Sequence, residues 1–398
     1  MALKKIFAGW DCVTCARWLV IAEFASLFVS TSLTSVLEIL LFISVGCCWK
    51  RLRGKASLLL QQPTVIMSLV FFAVLFLGLF YGGGTLPEKV SALSGWRKLL
   101  LLPLGILLFD EIQWKNRLIW AMLSIATIYV LWSYVGLFSH SKTIVVHSHT
   151  TQGIFFSVAA FAAVVFLFSG MRPQSQTISW WLGIVAILLI ANVVFVGLGR
   201  SGYLALFVLA CAASFFLLYS RVRLWGMVIP VVILGLIVVS PVAMERLTQG
   251  LHDMQEDYAQ TANVSDMGLR MVMWTNTLNL IKERPVFGYG LGGLKEAYQQ
   301  QVEGVDGWQG VVIDDPHNQY LKVAAEHGLV GLFVFLGFVA AFFFQKVPMT
   351  YRVLGLGVLL AWCATSFFNS QFSSSASGRF ILLWAGAQLA MPISDKIC

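Results

Sequence analysis

The sequence predicts an all-α polytopic membrane protein with about twelve transmembrane helices and one large extramembrane helical loop. Of its 398 residues, 58% are hydrophobic and only 12% are charged, less than the surface of a soluble protein of this length needs. Apolar runs of about 17–22 residues recur along the chain, the length at which a helix crosses a bilayer. No alternating barrel pattern accompanies them, so helices that satisfy their own backbone hydrogen bonds are the predicted elements.

Twelve spans are predicted from these runs. They lie at about 18–32, 33–48, 64–81, 96–110, 117–138, 153–170, 180–198, 202–220, 224–243, 328–345, 352–369 and 378–394. The first two are short and closely joined, and could instead form one long tilted helix. Glu23 and Glu38 lie within them. Because acidic groups are costly in lipid, we expect both to face the bundle interior or a wet cavity.

The spans divide the chain into three parts. An N-terminal transmembrane bundle of about nine spans covers residues 1–243, and about three C-terminal spans cover residues 328–398. Between them lies a polar loop, residues 244–327, which is the predicted place for chemistry on a membrane-anchored substrate.

Basic residues predict the orientation. With the N-terminus in the cytoplasm, most loop cations fall inside: Lys50, Arg51, Arg53, Lys55, Lys115, Arg117, Arg172, Arg221, Arg223, Lys346, Arg352 and Lys396. Fewer fall outside: Lys89, Arg97, Lys98, Lys142, Arg200 and Arg379. The positive-inside rule then places the 244–327 loop and the Arg200 turn on the periplasmic side of a bacterial membrane. Topology also explains the net charge of +8, so no nucleic-acid partner is predicted.

The polar loop has helical patterns of its own. Asp266 can cap a helix that runs to about Glu283 and carries an apolar stripe through Trp274. Pro285 ends this helix, and a glycine-rich turn follows. That turn superficially resembles a dinucleotide fingerprint, but no strand precedes it and we reject that interpretation.

A second helix is predicted to start near Pro316 and to carry His317 through Glu326. Gly328 is then expected to break or bend the chain at the membrane face.

Arg200 is the first candidate site residue. It lies between two apolar helices with almost no loop, which places a permanent cation at the outer membrane boundary among small residues. A guanidinium offers a planar fork of donors that suits phosphate oxygens. A single interfacial arginine also commonly serves as a topology or headgroup anchor. Ser201 is not a predicted hydrolase nucleophile, because Tyr203 replaces the second glycine of the nucleophile elbow.

His317 is the second candidate. An imidazole can accept a proton near neutral pH, and Pro316 fixes the backbone before it. Asp314 or Asp315 could orient the imidazole or bind a metal, but adjacent acids also commonly decorate a helix N-terminus.

Two other motifs are compatible with metal binding, but we predict no metal site. Cys12-x-x-Cys15 has no second pair suitably placed, and a zinc site needs about four ligands. His147-x-His149, in a short loop that also holds His140, lacks an evident third ligand.

Three motifs together resemble the bacterial O-antigen ligase family. His317-Asn318 is followed by nine residues, Gly328, two residues and Gly331, and Arg200 through Leu204 forms Arg-x3-Leu. The run from Arg270 through Trp274 to Arg284-Pro285-Val286-Phe287-Gly288-Tyr289-Gly290 is similar to the segment that precedes the histidine motif in this family. The likeness is strong over about residues 197–335, and the superfamily also contains O-antigen polymerases and protein O-oligosaccharyltransferases.

The resemblance implies a reaction and a location. These enzymes move a polysaccharide from undecaprenyl diphosphate to a sugar hydroxyl of lipid A–core oligosaccharide, in the outer leaflet of the bacterial inner membrane. They invert the anomeric centre, need neither metal nor ATP, and have a GT-C-like fold. The implied partners are therefore the carrier-linked donor, the lipid A–core acceptor and membrane lipids, with no cofactor.

The resemblance also implies residue roles. His317 would be the general base, and Arg200 and Arg270 would hold the diphosphate. Secondary candidates are Arg284, Arg97, Lys98, Asn318 and Asp315, although basic residues such as the first three more often serve as surface or interfacial anchors.

Other functions remain open from the sequence. A polymerase or a protein O-oligosaccharyltransferase would use the same donor and similar arginines. A transporter or flippase normally needs ionisable groups or broken helices near the midplane, where only Glu23 and Glu38 are found. A receptor or scaffold would not require the base and the arginines together.

Overall fold

The computed structural model describes residues 11–27, 29–169, 175–218, 223–256 and 266–391. Over these residues the chain forms α-helices and three short 3-10 helices, and it contains no strand. The all-helical prediction is therefore confirmed for the described part of the chain.

The helices follow one another with short connections. The first eight are α1 Cys12–Ser26, α2 Thr31–Cys47, α3 Trp49–Leu59, α4 Pro63–Tyr81, α5 Leu86–Trp96, α6 Leu101–Leu108, α7 Ile112–Phe138 and α8 His149–Phe168. The others are α9 Gln176–Phe195, α10 Arg200–Leu218, α11 Arg223–Val239, α12 Pro241–Glu256, α13 Asp266–Glu283, α14 Leu294–Gln301, α15 Gln319–Ala341, α16 Met349–Thr365 and α17 Ser375–Gln388. The 3-10 helices are Arg97–Leu100, Gly307–Gly310 and Phe342–Phe344.

Within the described residues, seven helical segments are long and apolar enough to cross a membrane, or up to nine if two bent pairs each form one span. The bent pairs are α2 with α3, at 97°, and the 226–239 part of α11 with α12, at 78°. Each of the twelve predicted spans overlaps a described helix, but α1, α16 and α17 fall short of a full crossing, at 15, 17 and 14 residues, so twelve crossings stay a prediction. The predicted span ends at 170, 220 and 394 lie outside the described residues.

Two predicted spans differ in detail from the observed helices. The first two runs form separate helices, α1 and α2, rather than one tilted helix, because α1 ends at Ser26 and Ser30 caps the start of α2. The span predicted at 96–110 begins ten residues earlier, at Leu86, where Thr85 and Glu88 form a capping box that starts a 23-residue segment.

Helix α8 lies at the centre of the bundle, because 78% of its most apolar 18-residue stretch is buried. It packs against α9 and α10, and α10 packs in turn against α11 and α16. The approach of α8 to α10 depends on small residues, since a Cβ on Gly202 would lie 2.8 Å from the Gly153 Cα. A Cβ on Gly199 would lie 2.7 Å from the His149 carbonyl oxygen. These contacts fix the turn before Arg200 against the N-terminus of α8.

The buried acids face the protein interior, as predicted. Glu23 is 0% exposed and Glu38 is 2% exposed. Glu38 accepts from Arg97 Nε at 3.0 Å and pairs with Arg379 Nη2 at 2.7 Å, which offsets part of the cost of burying its charge. Neither carboxylate oxygen of Glu23 has a hydrogen-bond partner among the described residues.

The predicted bend at Gly328 is present, and the loop after Pro285 fills the resulting break in α15. The N–H groups of Tyr289 and Gly290 donate to the Ala325 and Glu326 carbonyls at 2.9 and 2.7 Å. Leu329 N–H donates to the Pro285 carbonyl at 2.8 Å. The Arg284–Gly290 motif is thus part of the support of the broken helix, and it satisfies backbone groups that the break leaves exposed.

Gly328 has φ 64° and ψ −168°, and an added Cβ would lie 2.1 Å from the Val286 carbonyl oxygen. Gly328→Ala is therefore expected to destabilise the protein by about 2–4 kcal/mol, because the left-handed backbone and the overlap each carry a cost. The measurement is the midpoint of thermal unfolding in detergent. Gly183→Ala in α9, where an added Cβ meets nothing within 4 Å, is the control. Equal midpoints for the two variants would contradict the prediction.

Candidate functional site

Arg200 is the first residue of α10, and its side chain contacts helix α12. Its Nε donates to the Arg246 carbonyl on α12 at 2.8 Å. A Cβ on Gly250 would lie 2.8 Å from Arg200 Cζ, so a glycine lets α12 lie directly against the guanidinium. The side chain is half-buried, which places a cation at the edge of the bundle.

Arg270 lies one turn into α13 and is held by the turn between α16 and α17. Its Nη1 donates to the Phe368 carbonyl at 2.9 Å. Burial lowers the pKa of Arg270, Asp266 raises it and the positive charge of Arg200 lowers it again. A guanidinium stays charged under such shifts. Arg200 and Arg270 are therefore two permanent cations, and the effect of one on the pKa of the other shows that they lie close enough to interact.

Arg200 and Arg270 line one cavity of about 350 Å³ together with a third arginine, Arg246. Its other walls are the N-terminus of α8 at 148–150, the 198–201 turn and the start of α13. Among the described lining residues, Asp266 supplies the single carboxylate. We call this space the arginine cavity. Its charge and its planar donor groups suit a phosphate-containing ligand.

The turn between α16 and α17, residues 366–374, joins the arginine cavity to the histidine motif. Asn369 Nδ2 donates to Ser201 Oγ at 3.1 Å, and Ser370 Oγ donates to Asp315 Oδ1 at 2.5 Å. From the other side, Trp274 Nε1 on α13 donates to the Pro316 carbonyl at 2.9 Å. The segments that carry Arg200, Arg270 and His317 are therefore brought together by direct hydrogen bonds.

His317 lies outside the helix that was predicted to carry it. Helix α15 begins at Gln319, and His317 is an exposed residue with φ 52°. Asn318 Oδ1 accepts from the Tyr320 and Leu321 N–H groups at 3.0 and 3.1 Å, the geometry of an N-cap. The prediction of a helix from Pro316 was wrong, because Asn318 favours the cap and the left-handed backbone of His317 cannot continue a helix.

Asp315 positions the backbone of this loop. Its carboxylate accepts from the His317 N–H at 2.8 Å and pairs with Lys322 Nζ at 3.0 Å. Burial by itself raises the pKa of Asp315, but Lys322 and the hydrogen bonds from Ser370 and the His317 N–H outweigh it, so the pKa lies below its usual value. These contacts assign Asp315 to holding the loop. In the described part of the chain no group of three His, Cys, Asp or Glu side chains is placed to hold a metal ion.

The secondary basic candidates have other partners, and the structure does not bring them to the arginine cavity. Arg97 pairs with Glu38. Lys98 Nζ donates to the Ser373 and Ser374 carbonyls at 2.5 and 2.6 Å, which ties down the 366–374 turn. The Arg284 guanidinium lies 4.6 Å from the Tyr289 ring centroid, a cation–π contact.

Sequence reasoning missed Arg246 and the 366–374 turn. The signal for Arg246 was a basic residue immediately after the last predicted span of the N-terminal bundle. For the turn, it was the polar run Ser366 to Ser377, which interrupts the apolar C-terminal segment.

Fold and cavity define a multi-pass helical membrane protein with a cationic site between its helices. Residues 184–336 match the model of the family described as O-antigen ligase, which confirms the resemblance seen in the motifs and covers Arg200, Arg270 and the histidine motif. The match indicates an enzyme of the polysaccharide ligase or polymerase type.

Two relatives are similar to this chain at low identity. An uncharacterized protein of Haemophilus influenzae is 27% identical over 319 residues, which is 77% of this chain and 76% of the relative. A Rickettsia conorii protein, provisionally named a polysaccharide ligase, is 25% identical over 186 residues, which is 45% of this chain and 41% of that protein.

Proposed function

We propose that this protein is an O-antigen ligase, an inverting glycosyltransferase. It transfers a polysaccharide from undecaprenyl diphosphate to a sugar hydroxyl of lipid A–core oligosaccharide. The observation that carries the proposal is the arginine cavity, where three guanidinium groups surround a space whose described walls contain one carboxylate. The donor's diphosphate is the ligand that this charge balance fits.

The arginines act on the leaving group. As the bond between the anomeric carbon and the diphosphate oxygen breaks, negative charge grows on the diphosphate. Arg200, Arg246 and Arg270 stabilise that charge by charge-assisted hydrogen bonds from guanidinium groups that are positioned before reaction. Fixed guanidinium groups thereby supply the countercharge that a divalent cation supplies in many phosphoryl enzymes, and we propose a metal-independent reaction.

His317 acts on the acceptor. Its imidazole takes the proton of the attacking sugar hydroxyl while the new bond forms from that oxygen to the anomeric carbon. Attack on the face opposite the departing diphosphate inverts the anomeric centre. The hydrogen bonds from Asn369 to Ser201 and from Ser370 to Asp315 support this assignment, since they connect the histidine loop to the arginine turn.

We place the site at the periplasmic face of the bacterial inner membrane. The positive-inside distribution of Lys and Arg supports this orientation. The bundle is GT-C-like in this proposal, and the short helices α1, α16 and α17 complete twelve crossings. The three-part division at 1–243, 244–327 and 328–398 then places the last boundary at the Gly328 break.

Reconstitution with purified components tests the function. The protein in liposomes is mixed with carrier-linked polysaccharide and lipid A–core, and the product is separated by size and by lipid anchor. Polysaccharide on the lipid A–core is the expected result. Longer carrier-linked chains would identify a polymerase instead, and transfer to a pilin-like protein would identify a protein O-oligosaccharyltransferase.

A further inference from the structure

A second cavity, of about 250 Å³, is lined in part by residues on either side of His317 in the sequence. Its walls come from α5, from the 291–295 segment at the start of α14, from Asp314 and Lys322, and from Ser373 in the 366–374 turn. None of the described residues that line it also lines the arginine cavity. We call this second space the carboxylate cavity.

The charge of the carboxylate cavity differs from that of the arginine cavity. Its described walls carry the carboxylates of Glu88, Asp314 and Glu326, the ammonium groups of Lys295 and Lys322, and no arginine. Carboxylates facing the cavity repel a diphosphate, but they accept hydrogen bonds from hydroxyl groups, and ammonium groups donate to hydroxyl oxygens. A neutral ligand rich in hydroxyl groups therefore fits these walls.

The same loop forms the carboxylate cavity and holds His317. Asp314 and Lys322 lie in the wall, and Lys322 pairs with Asp315 at 3.0 Å. Asp315 in turn accepts the His317 N–H. A ligand in the carboxylate cavity thus contacts residues three positions before and five positions after His317 in the sequence.

We propose that the carboxylate cavity is a binding subsite for a sugar unit of the acceptor oligosaccharide. The inference rests on the proposed function, because it assigns the second substrate to a cavity that shares no described lining residue with the one assigned to the diphosphate. Separate subsites of different charge would hold the acceptor sugar apart from the leaving diphosphate. The first sugar of the donor offers the same hydroxyl chemistry, so the experiments distinguish the two.

Gly95 allows the carboxylate cavity to be filled without disturbing the packing. It lines the cavity, lies near the C-terminal end of α5, and an added Cβ meets nothing within 4 Å. Gly95→Leu is expected to place an isobutyl group in the space of the sugar. The matched control is Gly183→Leu in α9, which also has open space around its Cβ and does not line the cavity.

In the reconstituted transfer assay, Gly95→Leu is expected to raise the KM for lipid A–core about tenfold or more, with the KM for the donor unchanged, because only acceptor binding is obstructed. Gly183→Leu should leave both constants at the wild-type value. An increase confined to the donor KM would mean that the cavity holds the donor sugar, and would overturn the proposal. Unchanged constants in Gly95→Leu would overturn it as well.

A charge variant tests the same cavity without added bulk. Asp314→Asn keeps the size of the side chain but weakens acceptance from sugar hydroxyls, and we expect a rise in the acceptor KM of about threefold to tenfold. Asp306→Asn, an exposed residue of the same loop outside the cavity, is the control and should match the wild type. Equal acceptor KM values for the two variants would count against the proposal.

Direct binding separates this inference from the function it rests on. Core oligosaccharide freed of its lipid is titrated into the purified full-length protein by calorimetry. Heat of binding with the wild type and with Gly183→Leu, together with its loss in Gly95→Leu, supports the subsite even if no transfer occurs. An absence of transfer by the wild type would contradict the ligase assignment and leave the subsite supported. Equal binding by Gly95→Leu and wild type overturns the subsite, whatever the transfer assay shows.

Discussion

Arg270→Ala is expected to lower transfer by about 10²–10³-fold, because it removes one preorganised donor from the charge that develops on the leaving diphosphate. Arg270 is the more informative of the two predicted arginines. Its guanidinium is held by the Phe368 carbonyl at 2.9 Å, so the loss of the side chain removes a positioned cation rather than a mobile one. The measurement is the transfer rate in liposomes at saturating acceptor.

Two further variants separate charge from geometry. Arg270→Lys keeps the charge but loses the planar fork, and we expect it to recover only part of the rate. Arg284→Ala is the control, since Arg284 contacts Tyr289 and does not line the arginine cavity. If Arg270→Ala bound undecaprenyl diphosphate and turned over as the wild type does, the assignment of the arginine cavity to the diphosphate would be wrong.

Arg200 provides a test of shared function. Arg200 and Arg270 line one cavity and influence each other electrostatically, so their alanine effects should not add. The double variant is expected to lose less than the product of the two single losses. Strict additivity would indicate that the two guanidinium groups act on different ligands.

Local patterns predicted the elements of this protein well. Apolar runs located the seven to nine helical segments that are long and apolar enough to cross a membrane, and the bend at Gly328 followed from a glycine within a helical run. The start of α15 was harder to predict. Asn318, which belongs to the family motif, is the N-cap of this helix, so His317 lies before the helix rather than within it. Two hydrogen bonds to one side-chain oxygen set that boundary, and the period of the apolar residues does not predict them.

The composition of the candidate site could be predicted only in part, because its contacts are remote in sequence. Arg200, Arg270 and His317 were found from residue type and spacing. The residues that connect them were not, since Asn369 contacts Ser201 across 168 positions and Ser370 contacts Asp315 across 55. Periodicity describes which face of a helix is apolar, but it does not state which distant turn packs against that face.

Replacement of His317 tests the general base, and the backbone dictates the variant. His317 has φ 52°, a conformation that asparagine adopts more readily than alanine does, so His317→Asn removes the imidazole with the least effect on the loop. We expect transfer at saturating substrates to fall by about 10²–10⁴-fold, the usual contribution of a positioned base. Undecaprenyl diphosphate binding should be unchanged, because the arginine cavity does not include His317.

His140 supplies a matched control for that experiment. It is also an exposed histidine with a left-handed backbone, at φ 51°, and it lies in the loop before α8 outside both cavities. His140→Asn should therefore retain wild-type transfer. A His317→Asn variant that kept its rate but lost donor affinity would assign His317 to binding rather than proton transfer. A loss of rate with donor binding and the unfolding midpoint preserved would assign the effect to the chemical step. A variant that distorted the loop would also weaken the Asp315 and Lys322 contacts, and the unfolding midpoint would then fall.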